Sequence, residues 1–296
     1  MAENNNWETF IIGAHNSISG GVHKALDRAI ELHTNSCQIF SHNVRSWQKK
    51  EFEHEEIENF KDRYQRSNEI KYVVIHTSYL INLASPKEEL WKKSIQGLKD
   101  ELKKADQLGV DHINTHIGAH TGSGREKGLN RIIKALNIIS ESDVFTSSSV
   151  DILLENTAGS GTTLGKDFEE IGYVLNELDR KERFGVCFDT CHGFAAGYPV
   201  DNKSGLDSTL NELDEELHID KLKLIHLNDS KGKLASNKDR HAHIGQGEIG
   251  GDGFRNILNH PLLYRLPFII ETPKEKIDGE DGDIVNLRKL KNLRDR

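Results

Sequence analysis

Residues 186–198 read VCFDTCHGFAAGY: an apolar run is followed at once by an aspartate, a cysteine and a histidine, Asp189, Cys191 and His192. Carboxylate and imidazole placed three apart can hold a divalent cation or exchange protons with a substrate. Cys187 and Cys191, spaced C-x3-C, could instead belong to a zinc finger. Five further apolar runs end in the same kind of residue. His76 closes KYVVIH, and His116 falls in HINTHI. Glu155 falls in DILLENT, His226 in LKLIHLND and Glu271 in PFIIETP. Together with Asp189 these six residues follow one another at intervals of 40, 39, 34, 37 and 45, each close to the length of one β/α unit. Beyond strand six comes His192, and DRHAHIG supplies Asp239 and His241 two apart, so that in an extended segment both point the same way.

One such residue at the end of a strand is ordinary, because strand ends emerge into solvent. Six in step are a different matter. Imidazoles and carboxylates crowded together without compensation would be costly, and cations are the simplest compensation. A set of His and carboxylate without Cys suits zinc or manganese at catalytic sites that keep an open position. His192, Asp239 and His241 could hold one more ion. The cysteines are read as structural: the third, Cys37, leaves no second pair to complete a finger. GSGTTLGKD (159–167) lacks the spacing of a phosphate loop, and its glycines Gly159, Gly161 and Gly165 suit a tight turn. No G-x-S-x-G elbow is present. His23, His120, His243 and His260 have no evident partners and are left outside the metal site.

The elements that must position this chemistry follow from periodicity. Strands are expected at 10–15, 36–40, 71–76, 112–117, 151–157, 183–190, 222–229 and 267–273. Most are continuous apolar runs, as in parallel strands covered on both faces. Between them lie helical patterns. Trp91, Ile95, Leu98, Leu102 and Ala105 recur at helical spacing before Gly109, and Leu129, Ile132, Ile133, Leu136 and Ile139 repeat the pattern. Eight such units in 296 residues fit a (β/α)8 TIM barrel, whose active sites lie at the C-terminal ends of the strands. A doubly wound open sheet is the alternative. No linker or composition break appears, so residues 1–296 are read as a single domain with a short flexible N-terminal extension (about 1–9) and a charged C-terminal one (about 274–296), in which KEKIDGEDGD (274–283) is a solvated loop before a last short helix, IVNLRKLKNL.

With 35% hydrophobic and 29% charged residues and no long apolar run, no membrane span is expected. MAENNNWETF lacks the basic stretch and apolar core of a signal peptide, and three Cys suit reduced thiols, so a cytoplasmic protein is expected, nucleoid-associated if prokaryotic. The net charge of −8 argues against a phosphate-bearing partner, but three divalent cations would bring it to −2, and the local field then governs.

At this point the sequence resembles the endonuclease IV family of zinc-dependent apurinic/apyrimidinic endonucleases. The likeness runs through GAHNSISGG, HTSYLINLAS, NTHIGAH, LLENTAGSGTTLG, GVCFDTCHGFAAGY, HLNDSK followed by DRHAHIGQGEIG, and IIETP. It implies a (β/α)8 barrel holding three zinc ions per chain, with manganese an option at one position. The ligands it implies are His76, His116, Glu155, Asp189, His192, His226, Asp239, His241 and Glu271. By the same resemblance His76 and His116 hold one ion that Glu155 bridges to a second. Asp189, His226 and Glu271 complete the second, and His192, Asp239 and His241 hold the third. Catalysis is expected to rest on Glu155, Glu271, Asp189 and His192, with hydroxide formed from metal-bound water as nucleophile.

The implied reaction is hydrolysis of the phosphodiester 5′ to an abasic site in double-stranded DNA, leaving a 3′-hydroxyl and a 5′ sugar-phosphate, by a monomer. Arg45 and Trp47 of NVRSW and Tyr79 and Leu80 of TSYLIN are the expected DNA contacts. The sequence departs from the family at His42, where a basic residue is frequent, and at Ala242-His243. Two other functions fit a metal-bearing barrel: a sugar isomerase or epimerase, and a non-catalytic zinc-binding sensor of DNA damage.

Overall fold

The computed structural model describes residues 10–47, 50–66 and 68–294. Eight parallel strands close into a barrel: β1 (Ile12–His15), β2 (Ser36–Phe40), β3 (Tyr72–His76), β4 (His112–His116), β5 (Asp151–Glu155), β6 (Phe184–Asp189), β7 (Leu222–His226) and β10 (Phe268–Ile270). They lie around the ring in chain order, and β10 pairs with both β7 and β1 to close it. The expected (β/α)8 barrel is the fold observed. The strands are shorter at their ends than expected: Thr190 already opens a helix, and Glu271 lies one residue beyond β10.

Alternation along each strand explains both faces of the barrel. Val74, Leu153, Cys187, Leu224 and Ile269 form, with Tyr72, an apolar plug of their own. Their chain neighbours, such as Val73, Ile75, Ile152, Leu154, Val186 and Ile225, belong to the larger core under the helices. Because side chains alternate with period two, the residue two positions beyond each plug residue returns to the barrel axis one layer higher. Those residues are His76, Glu155, Asp189, His226 and Glu271.

Helices cover the outside: α1 (Lys24–Glu31), α2 (His54–Arg66), α3 (Glu88–Leu108), α4 (Arg125–Ser140), α5 (Asp143–Thr146), α6 (Phe168–Asn176), α7 (Thr190–Ala196), α8 (Lys203–Leu217), α9 (Gly250–Asn259) and α10 (Gly282–Leu293). The apolar stripe expected on α3 is the buried one, and Gly109 ends the helix in the left-handed conformation, φ 70°. On α4, Leu129, Ile132, Leu136 and Ile139 are buried and Ile133 packs at the edge. The last short helix expected in IVNLRKLKNL is α10, which is capped by Asp281 and sends Leu287 and Leu290 into the core.

One element has no counterpart in the sequence reading. Asp229–Ser230 (β8) pairs antiparallel with His241–Ala242 (β9). The buried Asp229 carboxylate accepts from the backbone N–H groups of Ser230, Gly245, Gly247 and Ile249, at 2.7–3.1 Å. Four donors on one acidic group compensate its burial and pin the segment that carries Asp239 and His241.

Ring closure also constrains a small residue. A Cβ on Gly13 would stand 1.9 Å from the Ser36 carbonyl oxygen, part of the neighbouring strand's backbone and unable to move aside. Gly13→Ala should therefore destabilise the protein by about 3 kcal/mol or more. Gly109→Ala, which meets nothing within 4 Å, should cost about 1–2 kcal/mol for its positive φ alone. Urea unfolding of the two variants measures the difference, and equal losses would contradict the tight strand contact.

Candidate metal centre at the barrel mouth

The nine residues expected as ligands meet at the C-terminal end of the barrel. Glu155 stands at the centre: its Oε2 is 3.1 Å from His76 Nε2 and 3.8 Å from His116 Nε2, and its Oε1 is 3.2 Å from His226 Nδ1 and 3.3 Å from His192 Nδ1. His226 Nδ1 also lies 3.3 Å from Glu271 and 3.9 Å from Asp189. At the rim, Asp239 Oδ1 is 3.3 Å from His192 Nε2 and 3.5 Å from His241 Nε2. Three groupings have ligand atoms close enough to share an ion: His76, His116 and Glu155; Glu155, Asp189, His226 and Glu271; His192, Asp239 and His241. Barrel register brings them there. His116 pairs opposite Glu155, and Asp189 opposite His226.

His192 reaches the cluster from α7, not from a loop. Asp189 is the cap of that helix and accepts from the His192 backbone N–H at 2.8 Å, which fixes the three-residue step between them.

The electrostatics are those of a site short of positive charge. Burial opposes ionisation of Glu155, but His116 and His226 outweigh it and hold the carboxyl well below its usual range. Burial likewise opposes ionisation of Glu271, which His226 and His15 overcome. Asp239, hydrogen-bonded to His192, is held at about 2. Burial disfavours charge on His192 and His226, yet neighbouring anionic groups lift both well above the ordinary imidazole range. Burial pushes His116 down. The carboxylates do not escape by protonation. Positive charge has to come from the imidazoles or from a cation.

Hydrogen bonds decide which of these the site is shaped for. His76 Nδ1 faces the Thr77 carbonyl at 2.8 Å, His192 Nδ1 the Asn156 carbonyl at 3.1 Å, and His241 Nδ1 the Glu271 carbonyl at 3.0 Å. A carbonyl can only accept, so each ring carries its proton on Nδ1 and turns Nε2 inward. There Nε2 meets carboxylate oxygens, to which it donates when the ring is cationic and which it joins as a ligand when a divalent cation takes the proton's place. His241 Nε2 and His116 Nδ1 are buried with no hydrogen-bond partner among the described residues. Imidazole nitrogens aimed at carboxylates, with the rings of His76, His192 and His241 anchored through Nδ1, fit a set of divalent cations.

Sequence reasoning missed the layer that holds these ligands. Asn114 donates to Glu155 at 2.6 Å. Asn156 exchanges hydrogen bonds with the Asp189 backbone. Asn228 donates to Asp189 at 2.7 Å and accepts from the Glu271 N–H at 2.7 Å. Gln38 touches Glu271 and His226, and His15 stands beside them. All four carboxamides are fully buried. The signal was present for three of them, since Asn114, Asn156 and Asn228 sit within two residues of a ligand-type side chain.

The three cysteines are reduced and buried. Burial pushes the Cys187 and Cys191 thiols up to about 12. Cys187 nonetheless lies near Glu155 and His226, and Cys191 near Asp189 and His241. The remaining histidines serve elsewhere: His120 accepts from Gly122 and Gly124, His243 meets Asn286 and His260 meets Asp207.

Beside the cluster opens a cleft of about 290 Å³, lined by Tyr79, Asn82, His116, Ala158, His192 and Asp239 among others. Tyr79 is 67% exposed and stacks edge-on against Phe40, while Leu80 is half-buried. Arg45 and Trp47 lie exposed on the loop after β2. Ser78 donates to the Val44 carbonyl at 2.8 Å, so the two loops are tied together.

Known proteins with this arrangement place the chain. A family model described as "Xylose isomerase-like TIM barrel" matches residues 26–293. The Halothermothrix orenii protein named "Probable endonuclease 4" is 48% identical over 276 residues, covering 93% of this chain and 98% of its own. A second of that name, from Methanoculleus marisnigri, is 41% identical over 95% of this chain and 98% of its own. The crystal structure of endonuclease IV from Thermus thermophilus superposes with a TM-score of 0.81 at 35% identity, covering 96% and 98% of the two chains. Near-complete likeness in sequence and barrel, around a mouth built of imidazoles and carboxylates, has one reading: the chain belongs to the endonuclease IV family of DNA-repair endonucleases.

Proposed function

We propose that the protein cuts duplex DNA on the 5′ side of an abasic site, leaving a 3′-hydroxyl and a 5′ sugar-phosphate, with zinc ions held in the three groupings at the barrel mouth. The observation that carries this is the inward set of imidazole nitrogens facing Glu155, Asp189, Asp239 and Glu271, next to an open cleft. Bound there, the ions would supply charge neutralisation for a phosphodiester and an acidified water as nucleophile. Manganese could replace zinc at one position.

The chain's own residues do the rest. Glu155 and Asp189, fixed by Asn114 and Asn228, hold their oxygens between the groupings. Glu271 is fixed through its own N–H by Asn228. Asp239 and His241 are set by the hairpin of β8 and β9 at the rim. An abasic sugar has no base to unstack, so swinging it toward the cleft costs little, which favours the lesion over intact DNA. The exposed Tyr79 ring with Leu80 suits a wedge left in the gap, and Arg45 with Trp47 suits the groove beside it. A basic groove lined by Lys231, Lys233, Lys238 and Arg240 adjoins Asp239, so local charge favours phosphates despite the net −8. The same reading makes the chain one domain acting as a monomer in the cytoplasm.

A duplex with one tetrahydrofuran abasic analogue tests the reading. A single nick 5′ to the analogue is expected, absent after prolonged chelation and restored by zinc. Glu271→Gln should lower the rate about 10³-fold. An intact duplex after incubation with zinc-loaded protein overturns the nuclease reading.

Metal analysis should return three zinc ions per chain. Chelation should lower the thermal midpoint, and free zinc at a hundred times its dissociation constant should restore about 2.7 kcal/mol per site. A midpoint indifferent to both would remove the metal from the fold.

Tyr79→Ala should raise KM about tenfold and change kcat little, because a stacked or wedged ring contributes about 1–3 kcal/mol to binding. Steady-state kinetics on the same duplex separate the two constants; a loss confined to kcat would place Tyr79 in the chemistry instead.

A further inference from the structure

β2 delivers no imidazole or carboxylate to the mouth, yet it points a fully buried carboxamide, Gln38, at two of the ligand-type residues. Gln38 Nε2 lies 2.5 Å from Glu271 Oε1 and 3.0 Å from His15 Nδ1, and Gln38 Oε1 lies 2.8 Å from His226 Nε2. The orientation of the amide follows from its neighbours. A carboxylate offers only acceptors, so the atom facing Glu271 has to be the NH2 group; a flipped amide would set oxygen against oxygen. The oxygen then faces His226, and because it can only accept, His226 carries a proton on Nε2. Its Nδ1 is left to face Glu155, Glu271 and Asp189.

His226 is the exception that makes this necessary. His76, His192 and His241 are anchored through Nδ1 on backbone carbonyls, which the main chain supplies without help. His226 enters the cluster by its Nδ1, so its anchor has to stand on the far side of the ring. β2 reaches that side across the mouth and supplies the acceptor, Gln38 Oε1.

We propose that Gln38 is a positioning residue of the metal centre: by one carboxamide it sets the tautomer of His226 and the orientation of the Glu271 carboxylate, coupling two ligands of the same ion. This rests on the metal reading above. A second consequence follows from its Nε2, which also reaches His15 Nδ1: His15 then keeps its proton on Nε2 and stays an acceptor toward the amide, outside the ligand set.

The test uses the full-length protein, with 15N-labelled histidine, loaded with zinc or cobalt. In the wild type, long-range 1H–15N correlation should show His226 protonated on Nε2. Gln38→Leu, similar in volume but unable to bond, should keep the thermal midpoint of the chelated protein within a few degrees. Its zinc affinity, measured by competition with a chromogenic chelator, should fall about 10–100-fold. The visible spectrum of its cobalt form should change as well. Gln38→Glu can still accept from His226 but repels Glu271; it should retain the Nε2 proton while weakening zinc, and so separates the two roles if the leucine variant does not fold. His226 protonated on Nδ1 in the wild type overturns the inference, as does a Gln38→Leu protein with unaltered zinc affinity and cobalt spectrum. A wild-type chain that takes up no zinc would sink the metal reading itself, a result distinct from either.

Discussion

Three carboxylates, Glu155, Asp189 and Glu271, converge on His226 within 4 Å at the end of a closed barrel, and Asp239 leans in from the rim. Like charges at such range in a site removed from water repel strongly and attract little compensating solvent. The rest of the structure follows from making that arrangement stable. The apolar plug below excludes water from the axis and leaves the mouth as the outlet for charged groups. The imidazoles that alternate with the carboxylates turn one nitrogen toward them, and the rings of His76, His192, His226 and His241 are fixed through the other. A protein that needed only neutral packing here would place leucines two residues above Leu153 and Leu224, in phase with the plug. This chain places Glu155 and His226 instead.

Holding ligands near the geometry a cation wants requires partners that neither compete for the cation nor titrate. Carboxamides satisfy both conditions, since they donate and accept without carrying charge. That accounts for Gln38, Asn114, Asn156 and Asn228 standing one layer behind the ligands. Asn228 shows the economy of the device. Its oxygen takes the Glu271 N–H and its nitrogen gives to Asp189, so one side chain ties β6 to the segment after β10. Asp229, one residue on, turns away and organises the hairpin through four backbone N–H groups. Adjacent residues thus serve the barrel and the rim, because successive side chains of an extended segment point to opposite sides.

The barrel and its mouth were legible in the sequence because two periodicities reinforce each other. Alternation within a strand fixes which face a residue occupies, and the spacing between strands fixes that the faces repeat in register. His76, His116, Glu155, Asp189, His226 and Glu271 satisfy both. The amides were legible only by position: Asn114, Asn156 and Asn228 sit within two residues of a ligand-type side chain but carry no charge pattern, and Gln38 looks like a polar interruption of SCQIF. The pairing of β8 with β9 was hidden for another reason. Two residues per strand hold no hydrophobic period, and the pairing depends on Asp229, whose partners are backbone groups with no sequence signature. His192 lies on a helix because Asp189 caps it, and a cap at the end of a strand reads equally well as a turn. At the end of the chain charges dominate 274–296, yet the last short helix was legible in IVNLRKLKNL, and the two leucines that α10 buries bind it to the core.

The ligand-type residues and the loops proposed to face DNA are built on different principles, and the difference has a functional consequence. Every ligand-type residue stands on a strand, on the first turn of a helix that follows one, in the β8–β9 hairpin and its approach, or one residue beyond β10. Their backbones are held by barrel pairing, a helix cap or the Asp229 network. Arg45, Trp47, Tyr79 and Leu80 stand on loops, which the bond from Ser78 to the Val44 carbonyl tethers to each other. Chemistry on a phosphodiester requires ligand positions good to a fraction of an ångström, which strands and buried amides supply. Recognition of a missing base requires side chains that can follow a kinked, gapped duplex, which tethered loops allow. On the proposed function, rigid ligand-type residues under an adaptable rim would let the site demand one geometry at the scissile phosphate while accepting any sequence around the lesion.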